Sequence, residues 1–240
     1  MAPFPACSLS LKIDCGRVTA LLGASRRYRT ALLRALAGLE RPDSGRVYVT
    51  DDAGARLAGL HEPGLTVAYL PAPGEEIFTG TTVAEELDFY GSKATGPDDR
   101  LGVLEERIGF SFSGSAGRSV WELSDSERRG LLLVSLALAL PDFWVCEEPG
   151  EIFDGRREKG VRSFLRGEAA RGAAVLLSFS DSGTASVWAE HLALLDSGGK
   201  LLYTGEPGGL TSEAAQSAGW NSGIFPEMDI AAPGTGMEDG

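Results

Sequence analysis

The chain has 240 residues, 43% of them hydrophobic and 23% charged, which is typical of one large globular domain with a substantial core. Its formal net charge of −12 argues against a nucleic-acid partner, because binding to a phosphate backbone needs a basic surface. Three widely spaced cysteines predict neither a disulfide framework nor a metal site. With no secretory signal and no apolar run of membrane-spanning length, we expect a cytoplasmic protein.

The first predicted elements have the layout of a phosphate-binding loop. Residues 8–22 alternate and then become continuously apolar, which predicts a strand, a turn at 14–16 and a buried strand. A polar turn follows from Gly23, and a Leu/Ala-rich helix is predicted from about Thr30. In a phosphate loop, backbone N–H groups and a helix N-terminus converge on an anion in this way.

The loop departs from the usual pattern G-x-x-x-x-G-K-[ST]. Tyr28 stands at the second glycine and Arg29 at the lysine, whereas Thr30 keeps the hydroxyl for Mg²⁺. A residue other than glycine costs roughly 1 to 2 kcal/mol where the nest needs positive φ. A Tyr or Arg side chain in the phosphate space would further weaken binding. The alternative is that the loop arginines bind an anion electrostatically or pair with acidic groups of the chain. The candidate nucleotide-binding residues are Gly23, Ala24, Ser25, Arg26, Arg27, Tyr28, Arg29, Thr30 and Ala31.

The middle of the chain predicts antiparallel strands and then helices. Residues 45–70 are expected to form antiparallel strands around a polar turn. Residues 83–140 are expected to be helical, with helices at Val83–Tyr90, Leu101–Ile108 and Leu131–Leu140 and a Gly/Ser-rich loop before the third.

The last third predicts a parallel α/β arrangement, because buried strands alternate with helices. The helix between the two buried strands is expected to be broken by glycines between residues 160 and 171. The predicted strands are Phe143–Cys146, Ala173–Phe179, and a final pair at Leu192–Asp196 and Lys200–Thr204. From residue 207 the chain lacks periodicity, and a disordered or loosely docked tail is expected.

Three segments resemble ATP-binding-cassette (ABC) ATPases in the order of that family. TALLRALAGLERPDSGRVYV (30–49) is similar to the run after its phosphate loop, and FTGTTVAEEL (78–87) is similar to a segment of cobalt-type and energy-coupling-factor importer cassettes. ELSDSERRGLLLVSLALALPDFWVCEEP (122–149) is similar to the signature motif, its helix and the Walker B strand. The resemblance implies an α/β fold of the ABC P-loop NTPase type. Its parts would be a parallel core sheet, an antiparallel β subdomain and a helical subdomain, all within residues 1–206, before an acidic tail at 207–240.

The resemblance also places several functional roles on substituted residues. Glu148 matches the catalytic general base, and Glu147 stands at the Mg²⁺-coordinating aspartate, so Thr30 and Glu147 are the candidate metal ligands. Ala72 replaces the Q-loop glutamine and Ser180 the switch histidine. His191 is expected to be structural. Asp154 matches the end of the D-loop. The N-terminal Phe4 is a candidate for stacking on adenine, and the alternative is a flexible terminal side chain.

The signature motif is Ser124, Asp125, Ser126 and Glu127 in this chain. A carboxylate at Asp125 would repel a facing phosphate by on the order of 4 kcal/mol at 4 Å and an effective dielectric constant of 20. The structural alternative is a capping box, in which Ser124 begins a helix and Glu127 bonds back to it.

Together these substitutions predict a degenerate ABC-type nucleotide-binding subunit with little or no ATPase activity of its own. The resemblance implies ATP and Mg²⁺ as ligands, and the substitutions argue against tight binding of either. The expected partners are a second, active ABC ATPase subunit and an integral membrane subunit, which would place the protein peripherally at a membrane. The alternatives are a slow but active ATPase that uses Arg29, Thr30 and Glu148, and a scaffold or regulatory protein outside transport.

Overall fold

A six-stranded sheet lies at the centre of the fold in the computed structural model, which describes residues 9–23, 25–50, 56–59, 65–91 and 100–211. The strands are β1 (Val18–Gly23), β2 (Tyr48–Thr50), β3 (Arg56–Gly59), β4 (Val67–Leu70), β5 (Phe143–Glu147), β6 (Ala174–Ser178), β7 (His191–Leu195) and β8 (Leu201–Gly205). The sheet order is β4-β5-β6-β1-β7-β8, and β2 pairs with β3 in a separate antiparallel sheet. All neighbours in the large sheet are parallel except β7 and β8.

Helices connect the strands, as the alternating pattern predicted. They are α1 (Arg26–Leu36), α2 (Val83–Gly91), α3 (Arg100–Ile108), α4 (Asp125–Leu138), α5 (Gly155–Ala170) and α6 (Ser182–Trp188). The predicted α/β fold with a parallel core sheet, an antiparallel β unit and a helical unit is therefore confirmed. Because β1, β4, β5 and β6 are parallel, the residues that follow them meet at one edge of the sheet.

Several predicted strands need correction. Residues 9–14 form no strand, and Cys15 makes an isolated bridge to Ala174. The strand that ends at Leu70 was expected to belong to the antiparallel unit, but it pairs in parallel with β5, with Leu70 opposite Cys146. A short apolar run is compatible with either sheet, so its partner is decided by the tertiary fold.

The helix α5 is continuous, although its glycines predicted a break. A Cβ atom at Gly160 would lie 2.3 Å from the Arg107 carbonyl oxygen, and one at Gly167 would lie 2.8 Å from the Arg107 guanidinium. These glycines therefore allow α3 and α5 to approach closely, and the cost of glycine in a helix is offset by this packing.

The helical unit is joined to the chain before it by backbone pairing. Val120 N donates to Thr81 O at 3.1 Å, and Thr82 forms a bridge with Ser119. The third helix of the helical unit, α4, begins at Asp125, six residues before the predicted start at Leu131, because Ser124 caps its first turn.

Some predictions fall outside the described residues. These are the predictions for Phe4, for Ala24 in the loop, and for the tail beyond residue 211. Across the part of the chain that the structure describes, none of the helices has the length and apolar character needed to span a membrane.

Candidate functional site

The phosphate-loop segment is shorter than its sequence predicts. The helix α1 begins at Arg26 rather than near Thr30, and Ser25 is its N-cap, accepting a hydrogen bond from Tyr28 N at 3.2 Å. Without a second glycine, nothing in the segment favours an open loop over helix, and serine is a preferred N-cap. The prediction of a loop that reaches residue 29 was therefore wrong.

Gly23 keeps the tight turn at the end of β1. Its φ is +76°, and a Cβ atom there would lie 1.9 Å from the Leu195 carbonyl oxygen on β7. The first glycine is thus required for strand packing, independently of any ligand.

Tyr28 packs against the turn between β7 and β8, which lies at the same edge of the sheet as the end of β1. Its ring lies against Gly199 in the turn between β7 and β8, where an added Cβ atom would meet the ring at 2.1 Å. The ring belongs to the apolar cluster on that side of the sheet. Tyr28, at the second glycine, therefore packs beside the end of β7, whereas Arg29, at the lysine, reaches the residues that follow β5 and β6.

Arg29 is buried, with 6% of its surface exposed, and its guanidinium joins three strand ends. Nη1 donates to Gly23 O at 2.9 Å, and Nη2 donates to Ser180 Oγ at 3.0 Å. Ser180 Oγ in turn donates to Glu148 Oε1 at 2.6 Å, and Nη2 lies 3.9 Å from the same oxygen. These contacts join Arg29, at the lysine position, to Ser180, at the switch position, and to Glu148, at the general-base position.

Burial affects both charged groups of this cluster. Desolvation lowers the pKa of Arg29, opposed mainly by the negative charge of Glu148. Desolvation also raises the pKa of Glu148, opposed by the Ser180 hydrogen bond and by Arg29. Each charge therefore depends on the other for compensation in a partly dehydrated site.

The two candidate metal ligands are also bonded to each other. Thr30 Oγ1 donates to Glu147 Oε2 at 2.6 Å, and Tyr69 OH donates to Oε1 of the same carboxylate. Burial and the neighbouring carboxylate raise the pKa of Tyr69, so it remains a donor. Tyr69 was missed by the sequence analysis, because its contact depends on β4 lying beside β5.

Arg129 on α4 was missed as well. Its side chain is fully buried, and it donates to Pro71 O at 2.7 Å and to Glu147 O at 2.6 Å. It also donates to Glu148 O at 3.1 Å and forms an ion pair with Glu76 at 3.3 Å. Arg129 thus joins the helical unit to the end of β5. The sequence signal was an arginine at the border of a uniformly apolar helix.

The structural alternative for the signature segment is confirmed. Ser124 accepts from Glu127 N at 3.3 Å, and Glu127 accepts from Ser124 N at 2.8 Å, forming a capping box. Asp125 forms an ion pair with Arg128, which compensates its negative charge. The repulsion between Asp125 and a facing phosphate is therefore smaller than expected for an unpaired carboxylate. Ser126 is half-buried, and its Oγ lies 3.5 Å from Arg157 Nη1.

The remaining candidates lie around this site or away from it. Arg26 and Arg27 are exposed in the first turn of α1, and Ala31 is half-buried one turn further on. Asp154 caps α5 through the N–H groups of Arg156 and Arg157, at 3.1 and 3.0 Å. Ala72 is buried after β4. His191 begins β7, with Nε2 at 2.9 Å from Thr204 Oγ1, and has no part in the strand-end cluster.

This arrangement does not fit phosphates and Mg²⁺ in the manner that the loop pattern implies. Arg29, Thr30 and Tyr28 N, which would face them, are bonded to the chain's own groups. In the described ranges, no group of three or more His, Cys, Asp or Glu side chains could hold a metal ion. Phosphates and Mg²⁺ at these positions would compete with the internal contacts of Arg29 and Thr30.

The parallel sheet, with a glycine turn and a helix after a central strand, defines the α/β class of P-loop nucleotide-binding folds. Residues 7–151 match the family described as ABC transporter, so the chain belongs to that family.

Solved structures have the same fold. An ATP-binding subunit of an ABC transporter has a TM-score of 0.67 at 18% identity, over 82% of this chain and 81% of that chain. CbiO1 of Clostridium perfringens, described as part of the ABC transporter complex CbiONQ, has a TM-score of 0.65 at 16% identity, over 85% and 82% of the two chains.

Similar proteins include a putative ABC transporter ATP-binding protein of Archaeoglobus fulgidus, 28% identical over 82% of this chain and 68% of that protein. The nickel import ATP-binding protein NikO of Rhodobacter capsulatus is 28% identical over 94% of this chain and 91% of its own length. The Fe(3+) ions import ATP-binding protein FbpC of Pseudomonas fluorescens is 28% identical over 83% of this chain, which spans 56% of that protein.

Proposed function

We propose that this chain is the ATP-binding-cassette subunit of a membrane transport system and that its own phosphate site is degenerate. The observation that carries the proposal is the internal cluster of Arg29, Ser180 and Glu148, which occupies the strand ends where phosphates would bind. Phosphoryl transfer depends on positioned charges that face the phosphates. In this chain those charges face each other.

A transport role is supported by the relatives, which include nickel and iron import proteins, and by the likeness to a subunit of CbiONQ. We infer that the chain acts with an integral membrane subunit and with a second, active ABC ATPase. A homodimer would carry the same internal cluster in both sites. A partner with a working phosphate loop would retain one competent site.

ATP and Mg²⁺ are weak ligands under this proposal. A phosphate must compete with Glu148 for Arg29, and Mg²⁺ must compete with the hydrogen bond between Thr30 and Glu147. Serine at 180 lacks the imidazole that the family resemblance assigns to the switch position. The expected result is a chain that binds Mg-ATP weakly and hydrolyses it slowly or not at all.

The test is calorimetric titration of the purified chain with Mg-ATP, together with a steady-state phosphate-release assay. We expect no saturable binding below millimolar nucleotide and no turnover above background. Micromolar binding that disappears in Arg29→Ala, with circular dichroism confirming that the variant is folded, would overturn the proposal. Turnover that is lost in Glu148→Gln would instead support the slow ATPase alternative.

The partner proposal is tested separately by purifying the complex from native membranes and identifying its components. We expect a second ABC ATPase with an intact phosphate loop and an integral membrane protein in fixed ratio. Recovery of a homodimer with neither component would contradict the heteromeric arrangement and favour the scaffold or regulatory role.

A further inference from the structure

We propose that Glu148 acts on Arg29 rather than on a water molecule. Together with Ser180 it forms a latch that holds the Arg29 guanidinium across the phosphate site, and an anion enters only when the latch opens. This inference rests on the proposed function and adds a mode of regulation to the same site. Glu148 is thereby a positioning residue and not a catalytic base.

The geometry of the latch fixes Arg29 from three directions. Gly23 O lies at the end of β1, Ser180 Oγ follows β6 and the Glu148 carboxylate follows β5. These strands are neighbours in the sheet, with β6 between β1 and β5, so their spacing is set by backbone pairing. The guanidinium therefore spans a fixed gap, and its planar fork has donors in the directions of these acceptors.

Glu148 is held in a conformation that serves this contact. Its φ is +43°, which is uncommon for a residue other than glycine. Its backbone is fixed by N–H donation to Ser178 O at 3.0 Å and by the Arg129 contact to its carbonyl at 3.1 Å. The Oε1 atom accepts the Ser180 hydroxyl and is the carboxylate oxygen nearest the guanidinium.

Electrostatics makes the latch oppose anion binding. While Glu148 is ionised, it compensates the Arg29 charge and also repels an incoming phosphate. Glu151 and Asp181 add negative potential at Glu148, Glu147 faces Arg29 as well, and Arg26 is the positive neighbour. Neutralising Glu148 alone removes the larger of these two carboxylate contributions at Arg29 and leaves a buried guanidinium whose charge an anion can compensate. The expected consequence is tighter anion binding when this one carboxylate is lost.

The experiment measures the dissociation constants of sodium triphosphate and Mg-ATP by calorimetry for the full chain and for Glu148→Gln. The matched control is Glu122→Gln, which removes the same unit of charge from an exposed side chain in the helical unit. We expect Glu148→Gln to bind at least tenfold more tightly than the wild type and Glu122→Gln to stay within twofold. Ser180→Ala should shift affinity in the same direction by a smaller factor.

A double variant tests whether the gain passes through Arg29. In Glu148→Gln with Arg29→Ala, the tenfold gain should disappear, because the freed cation is absent. Equal affinities of Glu148→Gln and Glu122→Gln overturn the latch, as does a gain that survives removal of Arg29. If the wild type shows no binding at millimolar ligand, a measurable constant for Glu148→Gln supports the latch and continued absence of binding refutes it.

The two proposals fail in different ways. Micromolar binding and turnover by the wild type would refute the degenerate site. The ratio of affinities between Glu148→Gln and wild type would still decide the latch. Weak binding by the wild type that is unchanged in Glu148→Gln would leave the degenerate site supported and the latch refuted.

Discussion

Replacing Arg129 by methionine should destabilise the fold more than any charge removal at the surface. The guanidinium is fully buried and serves three backbone carbonyls and one carboxylate, from Pro71, Glu147, Glu148 and Glu76. Methionine fills much of the volume but leaves these acceptors without their donor. Removing one partner of a buried ion pair costs about 3 to 5 kcal/mol.

That loss is a large part of the total stability of an ordinary domain, about 5 to 15 kcal/mol. For a chain of this length, 1 kcal/mol corresponds to a change in Tm of about 2 to 4 °C. The expected decrease in Tm for Arg129→Met is therefore about 6 to 20 °C. Urea unfolding followed by tryptophan fluorescence would give the change in the free energy of unfolding.

Arg166→Met is the matched control for this experiment. Arg166 also donates to a backbone carbonyl, Val187 O at 3.0 Å, and faces a carboxylate, Glu190 at 3.5 Å. Its side chain is 46% exposed, so its loss should cost less than about 1 kcal/mol. If the two variants lose the same stability, burial is not what makes the Arg129 contacts strong, and the reasoning fails.

Two further predictions concern a helix cap and a buried thiol. Ser124→Ala removes the capping box and should lower the free energy of unfolding by about 1 kcal/mol in urea titrations. An effect no larger than that of Ser126→Ala would contradict this. Burial raises the pKa of Cys146 from its ordinary value of 9.0 to about 12. The thiol of the unfolded chain therefore ionises at lower pH than the thiol of the folded chain. The contribution of Cys146 to the free energy of unfolding falls as pH rises from 9.0 to about 12, by up to about 1.4 kcal/mol per pH unit. Denaturation of wild type and Cys146→Ala at several pH values checks this, since the variant should show the smaller slope. Equal slopes, or alkylation of Cys146 as fast as the exposed Cys15, would refute it.

The predictions from local chemistry were confirmed where neighbours in the chain decide the structure. The Ser124 capping box depends on residues three positions apart, and the apolar periodicity of α2 and α3 depends on one helix face. The order of motifs also indicated the ABC family, to which the chain belongs. The predicted start of α1 near Thr30 was wrong, because the loop pattern depends on a second glycine that this chain lacks.

The amino-acid sequence by itself determined the fold class. It also showed that residues expected around bound phosphates are replaced, among them the lysine by Arg29 and the switch histidine by Ser180. The tertiary structure decided which groups those substituted residues contact. Arg29 meets Ser180 and Glu148, which are more than 100 residues away in the chain, because β1, β6 and β5 lie side by side in the sheet. Sequence patterns describe spacing along one segment, whereas contacts between strand ends follow from sheet order. The internal latch is therefore visible only when the strands are assembled.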